Sequence, residues 1–231
     1  MQKTFILLGI IIFSLISTAQ AKKVPGYIVT EDSDTLYGEI KLPKFNLLTG
    51  GWIISGFNQE PFYYEIWFKS NESNKFNRFQ ADQISGYGFK FESLDYIFKS
   101  FIIESNTPIK KEKKRYRFLK LYHYGETCLY IDMLRITTYE NLETEEYSFS
   151  HNNSSIYYDY NYYLYNNLIG LSKVEKSKEI ESIEELLYLY GFNEDFIESL
   201  RNKTEFKDIK AIMVAYEIWN RDNTSYKVTK I

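Results

Sequence analysis

The period of the apolar positions changes once along the chain. From Gly26 to about Tyr165, short runs of β-branched and aromatic residues are separated by clusters of Asn, Ser, Gly and Asp, the pattern of antiparallel strands joined by tight turns. The runs predict strands over 27–30, 35–42, 62–69, 76–79, 96–103, 116–124 and 127–134. Ser70-Asn71-Glu72-Ser73-Asn74 and Gly125-Glu126 read as hairpin loops between the third and fourth and between the sixth and seventh of these. Residues 47–58, with Gly50, Gly51 and Gly56, keep no period and read as an excursion from the sheet.

After Leu171 the spacing becomes helical. Ser182-Ile183-Glu184-Glu185 has the form of a capping box, Ile183, Leu186, Leu187 and Tyr190 fall on one face, and Gly191 closes the segment. Asn193 is placed to cap a short helix with Glu194 and Asp195 in its first turn and Phe196, Ile197 and Leu200 on its apolar side. Thr204 is placed to cap a third, in which Phe206, Ile209, Met213 and Tyr216 share a stripe; from Arg221 the tail is expected to fray. Such short amphipathic helices need a docking surface. The fold class that follows is α+β and mainly β, an antiparallel sheet, either sandwich or open barrel, followed by two or three short helices. The division expected is 1–21, 22–170 and 171–231.

The first of those segments has its own logic. Lys3, an apolar and small-residue run over 5–16, and Ser17-Thr18-Ala19-Gln20-Ala21 form a secretory signal peptide with a cleavage site after Ala21. The run is shorter than the roughly 20 residues of a spanning helix, and no later run is longer, so no transmembrane span is expected in the mature chain. Most strand runs are also shorter than the roughly 9–11 residues of a membrane barrel strand. Export to the periplasm or the cell exterior is the expectation, with Cys128, the single cysteine, unable to form an intramolecular disulfide or an N-terminal lipid anchor.

The net charge of −3 becomes about −4 without Lys3, which gives no reason to expect nucleic acid as a partner. Aromatic residues make up 18% of the chain, 22 of them tyrosine, and their rings suit a pleated, half-buried surface.

Gly26-Tyr27-Ile28-Val29-Thr30, the turn Asp32-Ser33-Asp34-Thr35, and the stretch Phe79 to Phe89 with Asp82, Ile84, Gly86 and Tyr87 together resemble a pattern of uncharacterised exported proteins of the Bacteroidota. In that pattern a signal peptide precedes a GYIVT-type strand, a GDT-type turn, a later D-I-x-G-Y stretch, a strand pair similar to Phe118-Leu119-Lys120-Leu121 and Leu129-Tyr130, and short terminal helices. The resemblance implies a compartment and a β-rich fold, and no activity. Ser33 stands where the pattern has a turn glycine, which leaves the turn type open.

No motif specifies a catalytic centre, a metal site or a cofactor. His123 and His151 are the two histidines, and neither has ligands at a metal spacing. Cys128, in Thr127-Cys128-Leu129, reads as a small buried hydrophobe. Glu143, Glu145 and Glu146 lie in a charged loop, Glu184 and Glu185 in a helical first turn, and Asp82 at a turn; a glycosidase needs only two facing carboxylates, a geometry that sequence does not display. The acidic knot Glu31-Asp32-Ser33-Asp34 lacks the D-x-D-x-D-G order of a calcium loop and reads as a turn. Lys110-Lys111-Glu112-Lys113-Lys114-Arg115 reads as a solvated loop, with binding to an anionic glycan or lipid headgroup as its functional alternative.

The strongest binding candidate is the run from Tyr157 to Tyr165, with six tyrosines in nine residues. As a strand it places Tyr158, Tyr160 and Tyr162 on one face and Tyr157, Tyr163 and Tyr165 on the other. Tyrosine offers a large amphipathic area at small entropic cost, suited to sugars or to a protein interface. The reading reached is a non-enzymatic module of the cell envelope that binds a protein or glycan through Tyr158, Tyr160 and Tyr162. A small carboxylate-dependent, glycosidase-like hydrolase and a membrane-peripheral module are its alternatives, and the oligomeric state stays open.

Overall fold

The computed structural model describes residues 21–43, 45–46, 51–52, 57–107, 110–141, 152–174, 180–200 and 208–228. The protein is mainly antiparallel sheet with three C-terminal helices, and the sheet is open rather than closed into a barrel. Its strands are β1 (Lys22–Val29), β2 (Thr35–Leu42), β3 (Phe45–Asn46), β4 (Gly51–Trp52), β5 (Glu65–Ser70), β6 (Asn77–Gln80), β7 (Gly86–Phe91), β8 (Leu94–Thr107), β9 (Lys110–His123), β10 (Cys128–Asn141), β11 (Asn152–Asn166) and β12 (Gly170–Val174). The helices are α1 (Ile180–Leu189), α2 (Glu194–Leu200) and α3 (Ile209–Val228). Ten strands follow the order β12-β11-β10-β9-β8-β7-β1-β2-β5-β6, and β3 and β4 pair separately. No helix among the described residues is long and apolar enough to cross a membrane.

The chain separates into two compact units, one through Phe118 and one from Leu119, so the division falls within β9. In the first unit the core is aromatic. Tyr87 stacks on Phe98 at 4.7 Å between ring centroids, Phe89 on Tyr96 at 5.1 Å, and Phe57 meets Phe62, Phe89, Phe91 and Tyr96 edge-on. Such pairs each add about 0.5–1.5 kcal/mol beyond the area they bury. Arg117 is also buried here, its guanidinium 3.8 Å from the centre of the Tyr64 ring. Tyr87 donates its hydroxyl hydrogen to the Phe62 carbonyl at 2.5 Å, tying β7 to the one-turn 3-10 helix over Glu60–Tyr63.

That turn is why the predicted strand 62–69 begins late, at Glu65. Pro61 sits in its first turn, where a missing N–H costs nothing, and it draws Phe62 and Tyr63 into the core from outside the ladder.

The second unit packs its helices on β10–β12. Leu129, Leu164 and Val174 from the strands share one cluster with Ile183, Leu187, Phe196, Ile197, Ile212 and Met213 from the helices. Gly191, at φ +74°, ends α1, and the Phe192 N–H returns to the Leu187 carbonyl, as the sequence pattern predicts. Asn193 caps α2 through its Oδ1, which accepts the Asp195 N–H at 2.8 Å. Residue 204, the predicted cap of the third helix, and Phe206 lie outside the described residues. Asp208 instead takes the Lys210 N–H at 3.0 Å, and Ile209, Met213 and Tyr216 form the expected stripe. Two further expectations are corrected. α1 starts at Ile180, upstream of Ser182, and α3 runs through Arg221 to Val228 instead of fraying there.

In the opening hairpin β2 matches the predicted strand 35–42, β1 begins at Lys22 and ends at Val29 where the sequence pattern predicts 27–30, and a five-residue loop joins them. The Thr30 N–H bonds to the Asp34 carbonyl at 2.9 Å, the Ser33 N–H to the Thr30 carbonyl at 3.1 Å, and the Asp34 N–H to the Thr30 hydroxyl. Ser33 has φ +70°, so a serine holds the left-handed conformation that the turn requires and that glycine adopts without strain. Glu31, Asp32 and Asp34 are exposed around it, as a turn needs.

Candidate functional site

Alternation along β1 and β2 sends Val24, Ile28, Ile40 and Leu42 into the core and leaves Lys23, Pro25, Tyr27, Tyr37, Glu39 and Lys41 on the opposite face. The loop fixes their register. Tyr27 stands across from Tyr37, Pro25 from Glu39, and Lys23 from Lys41. On the same face β7 contributes Gly88, directly opposite Tyr27.

A cleft of about 520 Å³ opens on this face. Its floor includes the backbone of Gly26, Gly38 and Gly88, its aromatic walls are Tyr27 and Tyr37, and Asn71, Lys90 and Asp95 stand at its polar edge. The glycines are required by close packing. A Cβ on Gly38 would lie 2.0 Å from the Lys69 carbonyl oxygen, one on Gly26 2.7 Å from the Gly88 carbonyl oxygen, and one on Gly88 2.6 Å from the Tyr27 hydroxyl. Tyr27 therefore lies flat over Gly88, with its ring centroid 6.3 Å from that of Tyr37.

Tyr37 is 65% exposed, whereas Tyr27 is half-buried. Burial, then the neighbouring Tyr37 and Asp95, push the Tyr27 hydroxyl above its ordinary pKa, so at neutral pH it is an uncharged donor and acceptor. The arrangement offers a ring face and a few side-chain donors and acceptors, from the tyrosine hydroxyls, Asn71, Lys90 and Asp95, in a space that suits a small polar ligand.

The tyrosine run, for which the sequence suggests a strand only conditionally, forms most of the C-terminal half of β11, and its members have unequal surroundings. Tyr162 packs against the helical cluster, with the Lys210 ammonium 5.2 Å from its ring centre. Tyr158 and Tyr160, each 37% exposed, continue the same face beside Arg135 and Met133 of β10. On the other face Tyr163 is buried and Tyr165 meets Tyr130 edge-on; the Tyr157 side chain lies outside the described residues. The run therefore holds two part-exposed rings next to a third that anchors α3.

The remaining candidates scatter. His123 Nδ1 lies 3.9 Å from a Glu217 carboxylate oxygen, and the Cys128 thiol donates to the Gly125 carbonyl at 3.3 Å. His151, Glu143, Glu145 and Glu146 lie outside the described residues. Glu184 and Glu185 lie on α1, and Asp82 is exposed in the turn after β6, where Gln83 Oε1, and not Asp82, takes the Gln80 N–H. The basic residues 110–115 belong to β9 and not to a loop, a correction with a simple cause: a long hairpin partner supplies the backbone bonds that charged side chains do not advertise. Among the described residues, no group of three His, Cys, Asp or Glu could hold a metal ion. Asp95 is the one carboxylate among the described residues lining the cleft.

Sequence reasoning missed the Tyr27–Tyr37 cleft. The signal was present in the hairpin itself: once a loop over 30–34 is drawn, the register of the two tyrosines follows. Comparisons of the chain with protein-family models, with curated proteins and with solved structures match nothing.

Proposed function

We propose that the protein is an exported, non-catalytic module of the cell envelope, of the type found among uncharacterised exported Bacteroidota proteins, and that it binds a glycan in the cleft between Tyr27 and Tyr37. The observation that carries this reading is a cleft floored by strand backbone, in which Gly88 presents no side chain beneath Tyr27 and the rings of Tyr27 and Tyr37 stand beside it. A pyranose has apolar C–H faces and a hydroxyl rim, and tyrosine answers both with its ring face and its phenol. A hydrolase of the two-carboxylate type would need a second acid facing the bond, and Asp95 alone supports binding over hydrolysis.

The test is calorimetric titration of a soluble envelope-glycan panel against the wild type, Tyr27→Ala, Tyr37→Ala and the double Tyr158→Ala/Tyr160→Ala variant, which leaves Tyr162 in its place against the helices. The reading expects at least a tenfold loss of affinity in either cleft variant and unchanged binding in the double variant. Loss confined to the double variant would move the site to β11 and end the cleft proposal.

A further inference from the structure

Along the same outward face, the rows beyond the tyrosines turn basic. Lys23 and Lys41 stand opposite each other, and Lys69 of β5 lies beside Glu39 of β2. All three ammonium groups gather around one ring, that of Phe76, with Nζ at 5.6 Å, 4.5 Å and 5.7 Å from its centre for Lys23, Lys41 and Lys69. Lys41 also lies 5.4 Å from the ring centre of Trp67, which is 43% exposed.

Acidic side chains do not balance this cluster. Glu39 bridges Lys69 at 2.8 Å, and its carboxyl is held below its usual range chiefly by that bond, with desolvation opposing and the Lys69 and Lys23 charges adding. Glu65, on the same face, is bridged to Arg78. Among the described residues neither Lys23 nor Lys41 has a carboxylate within ion-pair distance. Three cations therefore share one anion on a chain whose net charge is −3. Like charges this close repel, and an incoming anion relieves the repulsion while the aromatic faces keep the ammonium groups in place.

We propose that Lys23, Lys41 and Lys69, arrayed around Phe76 and Trp67, receive the anionic group of an acidic glycan whose neighbouring sugar lies on Tyr27 and Tyr37. This rests on the glycan reading of the cleft. From the tyrosine pair to the lysine pair is four residues along each strand, or about 13 Å, a span one short oligosaccharide covers. The position of a ring-walled cleft on the same sheet face as the basic cluster favours a carbohydrate over a lipid or nucleic-acid phosphate, which would need no ring-faced cleft beside it.

The experiment is titration, followed by Trp fluorescence and calorimetry, of oligogalacturonate and oligoglucuronate and of their carboxyl-reduced, neutral counterparts. The proteins are the wild type, Tyr27→Ala, and the double variant Lys23→Gln/Lys41→Gln, in which the exposed Lys23 and the half-buried Lys41 both lie on the outward face, away from the core; circular dichroism melting confirms folding. The wild type is expected to bind an acidic oligosaccharide at least tenfold more tightly than its reduced form, with the preference weakening at 0.3 M salt and shrinking below threefold in the double variant. Tyr27→Ala weakens both forms equally. If acidic and reduced forms bind alike, or if the double variant keeps the preference, the anion site is overturned while the glycan cleft stands. If no oligosaccharide binds, the glycan reading falls and this inference falls with it. Tighter binding of anionic phospholipid vesicles or single-stranded DNA than of any oligosaccharide, abolished in the double variant, overturns the assignment to a glycan.

Discussion

Replacing Ser33 by glycine should stabilise the protein. Ser33 sits at φ +70° in an exposed loop, and its hydroxyl makes no hydrogen bond among the described residues, so the substitution removes a Cβ and nothing that bonds. The left-handed conformation costs an L-residue about 1–2 kcal/mol that glycine does not incur. Glycine's greater freedom in the unfolded chain returns about 0.5–1 kcal/mol of that. The net gain is about 0.5–1 kcal/mol, which for a chain of this size is a rise of about 1–4 °C in Tm. Differential scanning calorimetry and urea unfolding of wild type, Ser33→Gly and Ser33→Ala resolve it. Alanine keeps the Cβ and should change little, so only glycine gains. A Ser33→Gly protein no more stable than the alanine variant would refute the strained-turn account of the opening hairpin.

Three further perturbations follow from the same geometry. Gly38→Ala should destabilise by about 3 kcal/mol, because its Cβ would meet backbone of β5 at 2.0 Å, whereas Gly125→Ala, with its nearest neighbour at 3.4 Å, should be close to neutral; chemical denaturation compares them. Asn193→Ala should cost about 1 kcal/mol by leaving the first-turn N–H groups of α2 uncapped, read as a lower urea midpoint. Alkaline stability should depend on Tyr87, whose hydroxyl is pushed well above its ordinary pKa by burial and then by Tyr63. A phenol whose folded pKa is raised holds its proton longer in the native state, so stability is intact below about pH 10 and falls as pH rises further. Tyr87→Phe should flatten that fall while losing the bond to Phe62, and an unchanged alkaline slope would count against it.

The helices and the first hairpin were legible in the sequence because local chemistry and tertiary context agree there: Asn193 and Gly191 do in the structure what their residue types do in isolation. β7 was not legible. Gly86 and Gly88 dilute its pattern, and the two-residue turn after it is Glu92-Ser93, both at positive φ, where Asn-Gly would have announced a hairpin. β12 hid for the opposite reason, since the turn from Asn166 to Gly170 is plain but the strand after it has only five residues. The basic start of β9 was hidden by its charge.

The site divides in the same way. The tyrosine run on β11 stands out by composition, yet Tyr162 is occupied by the helices. Tyr27 and Tyr37 are unremarkable as residues and become a pair only through register. Lys23, Lys41 and Lys69 come from three strands and meet at Phe76, a juxtaposition that no spacing in the sequence expresses.

The central claim is that the outward face of β1, β2 and β7 is the binding surface. Its most direct test is nitrogen-15 NMR titration of the full protein with the acidic oligosaccharides, reading the glycine amides, which resonate apart from the rest. Saturable shifts at Gly26, Gly38 and Gly88, with Tyr158 and Tyr160 unmoved, are the predicted result; shifts centred on β11, or unmoved glycines at saturating ligand, would contradict it.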